Sequence, residues 1–176
     1  MKWKARWRRV VLSKCISGTR LSSQYAYYFT NQLLTLSLLM NKLTSILLVD
    51  DDETTNFINQ MLLEDLEVTQ KVLLAFHGRE ALEVIKRQCG EDSCPQLILL
   101  DINMPVMNGF EFLDAYEGLE LAHKQSVVIL MLTTSMNPGD VERLREKSIG
   151  GVLNKPLTKE MVKDLLHQHF NRQLPK

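Results

Sequence analysis

The segment Ile46-Leu47-Leu48-Val49-Asp50-Asp51-Asp52 decides the fold, because a short aliphatic run ends abruptly in three acidic residues. An uninterrupted apolar run of this length is typical of a strand that is buried on both faces. Like charges at the end of a buried strand repel one another and resist desolvation, so they need a cation beside them. A bound divalent metal is the obvious candidate.

A second aliphatic run has the same ending about fifty residues later. Leu97-Ile98-Leu99-Leu100 is too short for a helix and is followed by Asp101. In a doubly wound parallel sheet the carboxyl ends of all strands share one edge, and ligands bind there at the topological switch point. The sequence therefore predicts that the two groups of carboxylates lie near each other.

Between and after these runs, strand and helix patterns alternate with short connections. In the first predicted helix, apolar side chains recur at three-to-four spacing at Phe57, Ile58, Met61, Leu62 and Leu66. The predicted strands span residues 46–49, 71–76, 97–101, 127–132 and 150–153, and the predicted helices span 54–66, 80–88, 108–120, 137–147 and 157–170. Five strands that alternate with five helices indicate an α/β domain with a parallel sheet.

The last two predicted strands also end in polar residues. The fourth is followed by Thr133, and the fifth by Asn154, Lys155 and Pro156. Carboxylates, a hydroxyl and a lysine at one sheet edge suit phosphoryl chemistry. An aspartate is the nucleophile, a metal neutralises charge, and the hydroxyl and the ammonium hold the transferred oxygens.

Charge is distributed unevenly along the 176 residues. The chain has 21 basic and 21 acidic side chains, but residues 1–49 contain eight basic residues and no acid. The rest of the chain is acidic, which disfavours a nucleic-acid surface, and no apolar stretch reaches the roughly 20 residues of a membrane span. Residues 1–39 are interpreted as a basic N-terminal extension that is disordered or not native, with an organelle transit sequence as the alternative.

The three cysteines are Cys15, Cys89 and Cys94. Cys89 and Cys94 flank a Gly-Glu-Asp-Ser turn that could admit a local disulfide, but disulfides are scarce in the cytosol. Reduced thiols in a cytoplasmic protein are the favoured interpretation.

Four ordered segments resemble the receiver domain of two-component response regulators. They are Leu47-Leu48-Val49-Asp50-Asp51-Asp52, Leu99-Leu100-Asp101-Ile102-Asn103-Met104-Pro105-Val106-Met107-Asn108-Gly109, Met131-Leu132-Thr133 and Asn154-Lys155-Pro156. The resemblance covers about residues 43–171. It implies a flavodoxin-like, doubly wound, five-stranded parallel sheet of order 2-1-3-4-5 with five helices.

The resemblance also implies a role for each site residue. Asp101 would accept a phosphoryl group from a histidine kinase or a histidine phosphotransfer protein. Asp50, Asp51 and Asp101, with the backbone carbonyl of Asn103, would hold Mg²⁺, which takes few carboxylates and keeps several waters. Thr133 and Lys155 would hold phosphoryl oxygens. Pro156 would follow Lys155 through a cis bond.

Plainer interpretations stay open for each of these residues. Asp50 to Asp52 could form an exposed turn that caps the next helix, where Asp52 or Glu53 is expected in any case. Lys155 could be a solvated lysine. If the register is off by one, Thr134 or Ser135 would take the place of Thr133.

One position departs from the family pattern. Three residues before the lysine many receivers carry Tyr or Phe, whose ring turns inward in the active state, whereas this chain has Val152. Transmission of the signal is therefore expected to rely on the fourth helix and the loop before it, or on a smaller repacking of Val152.

Two other classes of protein compete with a working receiver. Haloacid-dehalogenase-type enzymes also use an aspartate nucleophile with Mg²⁺, but there the nucleophile usually closes the first strand and a second aspartate follows two residues on; here Asn103 stands at that position. A degenerate receiver would bind proteins independently of phosphorylation. Nucleotide binding is disfavoured, because no strand is followed by G-x-G-x-x-G or a P-loop pattern.

The expected protein is a stand-alone, chemotaxis-regulator-like receiver. No separate catalytic domain is expected, so its chemistry would be limited to self-phosphorylation from a phosphodonor and self-dephosphorylation. Its output would be a contact with a downstream protein target. Receivers often pair through their fourth and fifth helices, which implies that a homodimer can form.

Overall fold

A five-stranded parallel sheet forms the centre of the fold. The strands are β1 (Ile46–Val49), β2 (Val72–Ala75), β3 (Leu97–Asp101), β4 (Val128–Thr133) and β5 (Gly151–Asn154). Their order across the sheet is β2-β1-β3-β4-β5, and every neighbouring pair is parallel. The predicted α/β class, strand number and strand order are confirmed.

The computed structural model describes residues 42–91, 94–121, 124–134, 138–172 and 174, without the side chains at positions 90, 91, 138 and 141. The interpretation of residues 1–39 as an N-terminal extension therefore lies outside the described residues. The same is true of Cys15 and Ser135.

Five helices connect or follow the strands. They are α1 (Glu53–Asp65), α2 (Gly78–Glu91), α3 (Gly109–Glu117), α4 (Pro138–Arg145) and α5 (Lys159–Phe170), and a short 3₁₀ turn spans Lys124–Ser126. Most boundaries lie within three residues of the predicted ones. Helix α3 ends three residues earlier than predicted, because Gly118 caps its C-terminus.

Helices cover both faces of the sheet, and the alternation of side chains along β1 shows why. Leu47 and Val49 pack in the core on the side of α2 and α3, whereas Ile46 and Leu48 pack in the core that also contains side chains of α1 and α5. All four residues are almost fully buried. Because both faces of the strand are covered, its sequence is a continuous aliphatic run rather than an alternating one.

Three large apolar side chains of α1 are exposed to solvent. Phe57, Ile58 and Met61 are 61%, 54% and 55% exposed, although their spacing predicts a buried stripe. The buried face of α1 carries Asn56, Asn59 and Leu63 instead. The spacing correctly predicts a helix, but of the five apolar residues with that spacing only Leu62 and Leu66 pack in the core.

The cysteine interpretation needs a correction. Cys89, near the end of α2, and Cys94, just before β3, form a disulfide across a sequence separation of five residues. Their Cα atoms lie 4.3 Å apart, so the favoured interpretation of two reduced thiols is wrong for this pair.

Within the described part of the chain, no helix combines the length and the apolar character that crossing a membrane requires.

Candidate functional site

The carboxyl edge of the sheet brings the predicted acidic residues together. Val49 of β1 pairs with Leu100 of β3, so Asp50 and Asp101 leave the sheet side by side. Carboxylate oxygens of Asp50, Asp51 and Asp101 all lie within 4.8 Å of one another. The structure therefore builds the predicted cluster from two loops that are fifty residues apart in sequence.

The three carboxylates differ in their exposure to solvent. Asp50 and Asp101 are buried, at 2% and 6% exposure, whereas Asp51 is exposed. Asp50 Oδ1 accepts a hydrogen bond from the Asp52 N–H at 3.1 Å. Asp50 Oδ2 is buried, and the cation beside it is the Lys155 ammonium. Carboxylate oxygens are the ligands that Mg²⁺ prefers, so the cluster also offers ligand atoms to a hard cation.

Lys155 provides the positive charge of the site. Its Nζ atom lies 2.7 Å from Asp50 Oδ2 and 3.0 Å from Asp101 Oδ1. Strand β5 lies next to β4. The Lys155 N–H donates a hydrogen bond to the Thr133 carbonyl at 2.7 Å, which holds the backbone of Lys155 beside the end of β4. The Lys155–Pro156 peptide bond is cis, as predicted. The reading of Lys155 as a solvated surface lysine is wrong.

Burial and charge act on Asp101 and Lys155 in different ways. Burial raises the pKa of Asp101; hydrogen bonding and attraction from Lys155 oppose the rise, and repulsion from Asp50 adds to it. Burial by itself would lower the pKa of Lys155, but its hydrogen bonds and charge attraction with Asp50 and Asp101 together raise it. Lys155 therefore stays an ammonium, while the ionised form of Asp101 gains from every additional cation nearby.

Thr133 ends β4 and is 1% exposed, beside the strand that ends in Asp101. Its neighbour Thr134 is exposed, and Ser135 lies outside the described residues. Asn103 is exposed in the loop after β3, two residues beyond Asp101. The residues of the predicted site thus all lie at the same edge of the sheet.

Asp52 belongs to the helix rather than to the acidic cluster. Its side chain accepts hydrogen bonds from the backbone N–H groups of Thr54 and Thr55, which caps the N-terminus of α1. These bonds lower the pKa of Asp52. The turn-capping interpretation is thus confirmed for Asp52, while Asp50 and Asp51 join Asp101.

Sequence reasoning missed two residues that hold the site together. An added Cβ at Gly109 would lie only 2.5 Å from the Asp101 carbonyl oxygen, so this close approach requires glycine. Asn56 Nδ2 donates to the Asp50 carbonyl at 2.7 Å. In the sequence, Asn56 is a polar residue inside a helix rich in apolar residues. That pattern does not show whether Asn56 is buried, because the sequence does not tell which face of the helix packs on the sheet.

Known proteins share this arrangement over most of the chain. The family model described as the response regulator receiver domain matches residues 46–167. Two-component response regulator 24 of Arabidopsis thaliana is 31% identical over 128 residues, which cover 73% of this chain and 84% of the plant protein. The sensor kinase/phosphatase LuxN of Vibrio harveyi is 32% identical over 133 residues, which cover 75% of this chain but 14% of LuxN.

Solved structures agree with these relatives. The chemotaxis response regulator CheY4 of Vibrio cholerae is 30% identical with a TM-score of 0.59, over 72% of this chain and 99% of that protein. A two-component response regulator from Cytophaga hutchinsonii is 26% identical with a TM-score of 0.68, over 74% of this chain and 99% of that protein. Since the family model covers well over half of the sequence, this chain belongs to the response regulator receiver domains of two-component signalling.

Proposed function

We propose that this receiver accepts a phosphoryl group on Asp101, from a sensor histidine kinase or a histidine phosphotransfer protein, and then signals through a phosphorylation-dependent contact with a downstream protein. The observation that carries the proposal is the meeting of three carboxylates within 4.8 Å with Lys155 Nζ 3.0 Å from Asp101. An isolated nucleophile would need neither the second and third carboxylates nor the lysine.

The acidic cluster fits a magnesium ion. Mg²⁺ prefers oxygen ligands and keeps several waters, so one or two carboxylates and a carbonyl are sufficient. In this proposal Asp50, Asp51, Asp101 and the backbone carbonyl of Asn103 hold the ion. Bound Mg²⁺ would neutralise the negative charge that the carboxylates and the phosphoryl oxygens bring together.

Asp101 is the proposed nucleophile. One of its carboxylate oxygens attacks the phosphorus atom, an O–P bond forms as the P–N bond to the donor imidazole breaks, and the imidazole leaves with the bonding electron pair. Lys155 presents a fixed positive charge to the transferred oxygens, and Thr133 presents a hydroxyl. Because both groups come from the ends of neighbouring strands, they are placed before the phosphoryl group arrives.

An exposed apolar face of α1 lies beside this site and suits contact with the phosphoryl donor. Phe57, Ile58 and Met61 expose an apolar face of α1, the helix that starts directly after the acidic residues. Phe57 also borders an open depression of about 430 Å³ between α1 and the end of β2. Single exposed apolar residues are ordinary, but a contiguous patch beside a reactive site is typical of an interaction surface. We propose that the histidine-bearing donor packs on this face of α1.

The output surface is proposed to include α4. Lys147, just after α4, forms ion pairs with Asp114 and Glu117 of α3, and the Arg143 guanidinium stacks on the Phe110 ring at 3.8 Å. Half-buried Val152 stands where many receivers carry an aromatic readout residue, so the proposed route is movement of α4 and the loop before it, or a smaller repacking of Val152. Phosphorylation should then shift backbone amide resonances between residues 133 and 155; unchanged shifts there would contradict this route.

Phosphoryl acceptance is tested by the intact mass of the full chain after incubation with Mg²⁺ and a small acyl-phosphate donor. We expect one added phosphoryl group on the wild type and none on Asp101→Asn. The matched control is Asp52→Asn, which changes a neighbouring acid but keeps a good helix cap and should still be labelled. If the folded, magnesium-binding wild type gains no mass, the protein is a degenerate receiver that binds partners without phosphorylation.

Several finer expectations remain predictions. They concern the cognate kinase, pairing of two copies through α4 and α5, and a cytoplasmic location.

A further inference from the structure

Asn56 is a buried amide on the face of α1 that packs on the sheet. It is 1% exposed, and its Oδ1 atom has no hydrogen-bond partner among the described residues. A buried polar atom without a partner destabilises the folded state. An apolar side chain of similar size would avoid that cost, so the amide is expected to have a compensating role.

The other end of the amide has a specific partner. Asn56 Nδ2 donates to the Asp50 carbonyl oxygen at 2.7 Å, across the loop that joins β1 to α1. The remaining polar groups of Asp50 are held by other elements. Its N–H donates to the Ala75 carbonyl of β2 at 3.1 Å, and its carboxylate contacts the Asp52 N–H and Lys155.

The Asp50 carbonyl belongs to the peptide group that leads directly into Asp51. Rotation of this peptide group would leave Asp50 anchored to the sheet but would swing the Asp51 carboxylate relative to those of Asp50 and Asp101. Asp51 is exposed, and no described hydrogen bond restrains its own side chain. The peptide orientation that Asn56 sets, together with the hydrogen bond from the Asp52 N–H to Asp50 Oδ1, therefore restrains where the Asp51 carboxylate points.

We propose that Asn56 is a positioning residue for the metal site: its amide fixes the Asp50–Asp51 peptide so that the three carboxylates converge before a cation binds. This inference rests on the proposed function only in requiring that the cluster binds Mg²⁺. Hydrogen-bond partners outside the ligand set typically change metal affinity by about 10-fold to 100-fold when they are removed.

The test compares Mg²⁺ affinity, measured by isothermal titration calorimetry on the full chain, in wild type, Asn56→Leu and Asn59→Leu. Leucine has a similar shape and removes the buried amide, so Asn56→Leu keeps the core filled and eliminates the orphaned acceptor. Asn59 is the matched control, because it lies on the same helix, is 4% exposed and makes no described hydrogen bond with the β1–α1 loop. Far-UV circular dichroism and urea unfolding report the folded state of each variant.

We expect the Mg²⁺ dissociation constant to rise at least about tenfold in Asn56→Leu and to stay within about twofold of wild type in Asn59→Leu. If Asn56→Leu does not fold, Asn56→Ala provides the same comparison, since it also removes the donor to the Asp50 carbonyl and adds no charge.

Two results would overturn the positioning role, and a third result would show failure of the proposed function instead. A folded Asn56 variant with wild-type affinity would overturn it directly. An equal loss in Asn59→Leu would show that any change in the buried face of α1 loosens the site. Wild-type protein that binds no Mg²⁺ would instead overturn the proposed metal site itself.

Discussion

Replacing Asp51 by asparagine should stabilise the magnesium-free protein. In the folded chain, the Asp51 carboxylate has two neighbours, Asp50 and Asp101, with oxygen atoms within 4.8 Å. Two unit charges at that separation repel by about 0.9 kcal/mol even at the dielectric constant of water. Asp51 is exposed, so the dielectric constant of water applies, and its repulsions with Asp50 and Asp101 together amount to about 2 kcal/mol.

Lys155, which is paired with Asp50 and Asp101, offsets part of this repulsion, so the expected gain is about 1 kcal/mol in the free energy of unfolding. For a domain of this size the gain corresponds to a rise of roughly 5 °C in Tm. Magnesium should stabilise the wild type more than the variant. At ten times its dissociation constant, Mg²⁺ stabilises the wild type by about 1.4 kcal/mol, whereas the variant lacks one ligand and gains less.

The assay is urea unfolding at low ionic strength, followed by circular dichroism, with and without Mg²⁺. Salt at about 1 M is an internal control, because it shortens the Debye length to about 3 Å and should reduce the difference between the apoproteins. If Asp51→Asn is no more stable than wild type without Mg²⁺, the carboxylates do not repel as the geometry requires. Equal stabilisation of both proteins by Mg²⁺ would show that Asp51 is not a ligand.

Three further predictions concern stability. Gly109→Ala should lower the free energy of unfolding by about 2 kcal/mol, because the added methyl group meets the backbone at the end of β3, whereas Gly118→Ala, whose Cβ finds an ordinary 3.5 Å contact, should change it by less than about 0.5 kcal/mol in the same urea assay. Cys89→Ala should lower the free energy of unfolding by about 2 kcal/mol, the loop-closure entropy expected for so short a loop. A reducing agent should lower the urea midpoint of the wild type but not that of this variant, and equal sensitivity of the two proteins would contradict the disulfide. Burial raises the pKa of Tyr116 to about 12, above its unfolded value of about 10. The contribution of Tyr116 to the free energy of unfolding is therefore complete below pH 10 and is lost as the pH rises towards 12. Tyr116→Phe should flatten the decline in stability over that range, and an unchanged slope would refute this prediction.

The sequence determined the fold class because strands buried on both faces leave an unmistakable pattern. Continuous aliphatic runs such as Leu97 to Leu100 cannot be solvated on either side, and helices must cover them. The position of Asp50 and Asp101 directly after such runs then placed both at the carboxyl edge of the sheet, because parallel strands share that edge. This inference needed no knowledge of any side-chain contact.

The tertiary structure decided which face of α1 is buried. Phe57, Ile58 and Met61 have the spacing of a core stripe, yet the sheet packs against Asn56 and Leu63. Spacing records which residues share a face, but the choice of the buried face depends on contacts with the sheet and with neighbouring loops. The hydrogen bond from Asn56 to the Asp50 carbonyl is one such contact, and no periodicity could reveal it.

The same limit applies to the disulfide and to the geometry of the site. Cys89 and Cys94 are close in sequence, but only the tertiary structure shows that they lie within bonding distance. The sequence placed Lys155 at the right edge, whereas its ion pairs with Asp50 and Asp101 depend on the pairing of β5 with β4. Local sequence determined which groups reach the edge of the sheet, because runs of hydrophobic residues mark the buried strands and the polar residues that follow them. The distances between those groups depend on strand pairing and loop packing, which bring together residues far apart in the chain.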